Sequence, residues 1–134
     1  MRTRRAALCV VVCVMSASLA HAAVLDTKPP TTAFQTKDGT IVANAYPAYE
    51  DLIGGYADDD LSGIAQVQVG FVAIGTRQSF NYLANLGCMD DKMRACMWRV
   101  IPPLVPGEYT ATAFATDQAG NIQKISPRIT VVVI

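Results

Sequence analysis

Histidine is all but missing from this chain of 134 residues: the only copy, His21, stands near the amino terminus. Charge is also sparse. Eleven Lys and Arg against eleven Asp and Glu amount to 16% of residues and cancel, so the whole sequence has no basic field with which to hold a phosphate backbone. Aromatic residues are few at 7%, with a single Trp98, and no apolar run reaches the roughly 20 residues that would span a bilayer. A membrane span and a nucleic-acid partner are therefore excluded as expectations.

What is present begins with a leader. Arg2, Arg4 and Arg5 precede an apolar run from Ala6 to Met15, and small residues then end in Ala20-His21-Ala22, the three regions of a secretory signal. Cleavage near Ala22 would leave residues 23–134 as one domain and remove three bases with the only histidine. Eight bases then face eleven acids, a net charge of −3, and no imidazole remains for a Ser-His-Asp or Cys-His nucleophile or for a histidine-bearing metal site. Cys9 and Cys13 lie inside the apolar run, too near the start for a lipid attachment. The expected location is extracellular or periplasmic.

Two cysteines then remain, Cys88 and Cys96. An even pair in an oxidising compartment reads as a disulfide, worth about 2–3 kcal/mol for so short a loop. The spacing is not C-x-x-C, which argues against a redox-active pair.

Tyr109 to Asn121 carries the clearest pattern. Tyr109, Ala111, Ala113 and Ala115 alternate with Thr110, Thr112 and Thr116, the period of a half-buried strand, and Asp117-Gln118-Ala119-Gly120-Asn121 closes it as a turn. This stretch resembles the penultimate strand and final hairpin of bacterial immunoglobulin-like domains. Asp26-Thr27-Lys28-Pro29-Pro30 matches that family's opening, and Asp58-Asp59-Asp60-Leu61-Ser62-Gly63 its Asp-Asp-Ser-Gly turn with one added residue. The resemblance implies an all-β antiparallel sandwich of about seven strands, and a non-catalytic role in adhesion, spacing or ligand presentation.

On that frame Thr31 to Phe34 is the first strand, and Asp38-Gly39 turns the chain toward Ile41-Val42. Leu52 to Ala57 is the next strand, with Gly54-Gly55 marking a bulge or a close backbone approach. Ile64 to Ile74 follows, placing Ala65, Val67, Val69 and Phe71 on an apolar face. Met97 to Val100 is a strand carrying Trp98, and Ile129 to Ile134 the last one. Tyr109 after the Pro-rich bend suits a tyrosine corner. The resemblance gives out over 76–95, where Arg77 to Tyr82 suits a strand, Leu83 to Arg94 has no steady period, and Asp90 to Ala95 is compatible with a short helical turn.

Candidate sites follow from this layout. The irregular segment with its disulfide, and Phe114 among outward threonines, suggest a binding loop of Phe80, Tyr82, Asp90 and Asp91 with Phe114. The partner class is left open between protein and carbohydrate. Trp98 decides between them, since a sugar platform of Trp98, Tyr82, Phe80 and Tyr109 needs it exposed and a scaffold needs it buried. Asp58, Asp59, Asp60, Asp117 and Asn121 would share one pole. They cap turns in the ordinary reading, and calcium is the less favoured alternative because no EF-hand spacing is present. A hydrolase built on paired carboxylates, or an enzyme inhibitor, ranks last.

Overall fold

The computed structural model describes residues 25–43 and 52–134. The expected leader and cleavage site lie outside the described residues. Nine strands are present among them: β1 (Thr31–Phe34), β2 (Thr40–Val42), β3 (Ile53–Asp58), β4 (Ile64–Ala73), β5 (Ser79–Leu83), β6 (Asn85–Cys88), β7 (Ala95–Val100), β8 (Gly107–Asp117) and β9 (Arg128–Val133). They form two sheets, ordered β1-β3-β7-β6 and β2-β9-β8-β4-β5. In immunoglobulin terms the first is the ABED sheet, and the second is the CFG sheet extended at both edges.

The count exceeds seven for two reasons. The first strand divides between the sheets: β1 pairs antiparallel with β3, then the chain turns through Gly39 and β2 pairs parallel with β9. The second reason lies in 76–95. This segment is regular, with β5 on the edge of the larger sheet and β6 on the edge of the smaller, and only Ala84 between them. Edge strands at a change of sheet are covered on one side only, so every second residue is merely half-buried and no apolar stripe shows in the sequence. Asp90 to Ala95 is not helical. Met93 N–H donates to the Asp90 carbonyl (3.2 Å) in a hairpin turn whose last residues enter β7.

Period-two patterning buries one face of each central strand. Val67, Val69 and Phe71 of β4, Tyr109, Ala111, Ala113 and Ala115 of β8, and Val131 and Val133 of β9 face Ile53 and Ala57 of β3 and Cys96, Trp98 and Val100 of β7. The alanines of β8 leave interlayer volume to large rings. Phe71 and Phe80 each meet Tyr109 edge-on, at 6.4 and 6.0 Å between centroids. Ala65 departs from the expected apolar face. A register shift between Ile64 and Gln66 makes it the extra residue of a bulge and turns it to solvent, while Ile64 is buried instead.

Gly54-Gly55 makes a close approach and not a bulge, because β3 and β7 stay in register from Ile53↔Val100 to Asp58↔Ala95. The tyrosine corner is present: Tyr109 Oη–H donates to the Val105 carbonyl at 2.6 Å, and burial pushes the phenol above its ordinary value. Cys88 and Cys96 are bonded, and they are also register partners across β6 and β7, so the disulfide closes the β6–β7 hairpin.

Candidate functional site

Four chain segments converge at one pole: residues 25–30, the β3–β4 turn, the β6–β7 hairpin and the β8–β9 loop. Backbone bonds fix them to one another. Asp59 N–H donates to Arg94 O (2.8 Å), Ile64 N–H to Met93 O (2.7 Å), and Gln118 N–H to Gly63 O (2.8 Å). Gly63 has φ +90°, and a Cβ there would stand 2.1 Å from the Lys92 carbonyl, so the β3–β4 turn can lie against the β6–β7 hairpin only with glycine at this place.

The carboxylates at this pole divide by what they already hold. Asp117 is 1% exposed, with Oδ1 accepting from Asn121 N–H and Oδ2 from the Asn121 side-chain amide, both at 2.8 Å. That amide also donates to the Asp26 carbonyl (2.8 Å). Asp117 and Asn121 therefore satisfy one another, as turn capping expects. Asp58 ends β3 in register with Ala95 and is exposed, apart from the others.

Asp26, Asp59 and Asp60 each offer a carboxylate oxygen within 4.8 Å of the other two. Asp26 Oδ2 accepts from Ser62 N–H (3.1 Å) and from the Ser62 hydroxyl, and Oδ1 accepts from Lys28 N–H (3.1 Å). The Ser62 hydroxyl, ahead of those two N–H groups, holds the Asp26 carboxyl at about 2, well below the usual carboxylate range, against the opposing effect of its partial burial. Asp59 is 7% exposed; its Oδ2 accepts from Gly63 N–H (2.8 Å) and Leu61 N–H (3.4 Å), and it stands 3.3 Å from Ser62 Oγ, whose one proton is directed to Asp26. Its Oδ1 is buried with no hydrogen-bond donor among the described residues. Asp60 is exposed.

The sequence places Asp58, Asp59, Asp60, Asp117 and Asn121 at one pole; the structure brings Asp59 and Asp60 together with Asp26, which the sequence pattern does not include. Its signal was available in the Asp-x-x-Pro-Pro opening, where Pro29-Pro30 force an extended lead that returns Asp26 to the β3–β4 turn.

The expected binding loop is not one surface. Phe80 and Tyr82 are half-buried and extend the core, their rings stacked on each other at 6.4 Å, with Tyr82 also 5.9 Å from Phe71. Asp90 caps the β6–β7 hairpin by accepting from Arg94 N–H (3.0 Å), and Asp91 is exposed beside it. Phe114 lies on the outer face of the larger sheet, opposite Gln68, whose other neighbour is Leu83. Trp98 is 1% exposed, its indole N–H donating to the Tyr56 carbonyl (3.0 Å) and its ring edge-on to Phe34.

The exposed apolar surface of the segment is elsewhere. Leu83, Ile101 and Leu104, with Tyr82, Arg99 and Pro102, line a groove of about 390 Å³ between the β5–β6 edge and the β7–β8 corner. Leu83 is 66% and Leu104 70% exposed. The sequence hint was a loop, residues 101–106, carrying three branched apolar side chains that a turn does not require.

No family model and no curated protein matches this chain. Among solved structures it is similar to CopC from Methylosinus trichosporium OB3b, at 16% sequence identity and a TM-score of 0.45, over 78% of this chain and 92% of that one. At that TM-score nothing about function transfers, and what this chain does has to follow from its own side chains.

Proposed function

We propose that this chain is an exported, non-catalytic immunoglobulin-like binding module that engages an apolar segment of a protein partner through the Leu83–Leu104 groove. The observation that carries this reading is the groove itself. Two leucines at 66% and 70% exposure, together with exposed Ile101, flank Arg99 and are gathered in one groove. Large apolar side chains held in water on a rigid edge are what a protein contact uses. Export is supported by the Arg-rich, apolar leader and by a disulfide of the kind that persists in oxidising compartments. A non-catalytic role is supported by the use of both described cysteines in that disulfide and by the commitment of Asp117 to turn bonds. Burial of Trp98 takes away the platform on which a carbohydrate reading depended.

The test is a cross-linking pull-down from envelope and culture fractions with the unaltered chain, with L83D/L104D and with D90N/D91N. The groove reading expects one retrieved protein to be lost with L83D/L104D and kept with D90N/D91N. Retention by both folded variants overturns it.

A further inference from the structure

We propose that Asp26, Asp59 and Asp60 form a binding site for a hard divalent cation of the calcium class. This site is independent of the groove, since the two surfaces share no residue.

The cluster alone would not suffice, because acids at turns commonly serve as caps. The second observation is the state of Asp59. This carboxylate is more than nine-tenths buried, and two backbone N–H groups donate to its Oδ2 while its buried Oδ1 has no donor among the described residues. A buried carboxylate oxygen with no hydrogen bond is costly and rare unless a positive partner is provided. One oxygen of each of two further carboxylates lies within 4.8 Å of an Asp59 oxygen, which raises the negative charge around this buried side chain. Arg94 reaches this pole, yet its Nε–H donates to the Leu61 carbonyl (3.4 Å). A bound cation resolves both the unpartnered oxygen and the mutual repulsion.

The donor set selects the class of ion. All three side chains offer oxygen only, both described cysteines are in the disulfide, and no histidine occurs among the described residues, so a soft or borderline metal has no preferred ligand. Calcium takes six to eight oxygens in flexible geometry and accepts water for those the protein lacks. Asp60 is exposed, which leaves that side of the cluster open to water and to entry of the ion.

The scaffold is organised before any ion arrives. Gly63 against Lys92, Gln118 on Gly63 and the Asn121 amide on the Asp26 carbonyl hold the lead segment to the β3–β4 turn. The ion would join these same two segments through their carboxylates. Asp117 lies outside the three clustered carboxylates, and its two oxygens accept from Asn121.

The experiment uses the full chain expressed for export, freed of metal with chelator, and titrated with calcium chloride by calorimetry and in thermal melts. Calcium should bind in the range of about 10⁻⁴–10⁻³ M typical of extracellular modules, and should raise the melting temperature in proportion to the logarithm of its concentration. Asp60→Asn changes an exposed side chain and should leave the fold intact. It should weaken calcium binding about tenfold or more and, by relieving repulsion, raise the melting temperature of the metal-free protein. Asp58→Asn, an exposed neighbour outside the cluster, should change neither. Absence of calcium heat and of any melting shift in the folded unaltered chain overturns the proposal, as does a calcium response that survives both D60N and D26N at full strength.

Discussion

The indole of Trp98 fills the space that a side chain at Gly55, its register partner on β3, would need. A Cβ at Gly55 would stand 2.7 Å from Trp98 Cζ2 and 1.9 Å from the Ala33 carbonyl, and that second atom is backbone that cannot swing aside. The smallest possible substitution at this position therefore pushes β1 and β3 apart.

Gly55→Ala is expected to destabilise the fold by more than about 3 kcal/mol, at the upper end of overpacking effects. Gly87→Ala is the control, because nothing lies within 4 Å of a Cβ there. Urea midpoints for the two variants give the comparison, and equal midpoints would mean that the layers yield more easily than this packing allows.

The bond from Tyr109 to Val105 sets a second expectation. Tyr109→Phe removes the donor and leaves a carbonyl without its partner, for a loss of about 1–3 kcal/mol. Burial raises the phenol above 10.0 in the folded state. The stability this confers is fully present below pH 10 and is lost as pH climbs through the folded-state value. Melts between pH 8 and 11 should show a steeper alkaline decline in the unaltered protein than in Tyr109→Phe. Parallel declines would place the alkaline sensitivity in other groups.

Cys88 and Cys96 should resist thiol labelling in the native, non-reduced protein. Changing both to Ser should cost about 2–3 kcal/mol in the chain-entropy account of a loop with sequence separation 8. Two labelled thiols in protein recovered from an exported fraction would count against the compartment as well as the bond.

Asp117→Ala deletes two bonds at 2.8 Å to a buried carboxylate, so the expected loss is about 2–3 kcal/mol, above the scale of an exposed cap. Asp58→Ala, exposed at the end of β3, should stay within about 0.5 kcal/mol. Guanidinium midpoints for both variants test the difference.

Much of this architecture was legible because one face of each central strand is buried. Tyr109 to Ala115 and Val67 to Phe71 announce themselves by alternation, and Tyr109 after Pro106-Gly107 announces the corner. The edges were not legible. Asn85 to Cys88 pairs on one side only, at a change of sheet, so hydrophobic period carries little of its signal. Ala65 misled because a bulge shifts parity by one, and no residue type specifies a bulge. In the candidate site, Asp59 and Asp60 are adjacent in sequence, so their shared place at the pole is legible there. Asp26 comes from a distant segment, and only the extended Pro29-Pro30 lead brings it back. Leu83 and Leu104 were missed because exposed apolar residues leave no periodic trace.

The parallel pairing of β2 with β9 has a mechanical meaning. Thr40 lies beside Val131 and Val42 beside Val133, so the early and late strands of the domain run side by side in the same direction. A pull on the chain before Thr40 and after Val133 draws these strands past each other along their length. The hydrogen bonds between them are then loaded together, in shear, where an antiparallel hairpin pulled from its two open ends would release its bonds one at a time. β2 and β9 are thus the pair of strands that a force applied between these two points loads in shear.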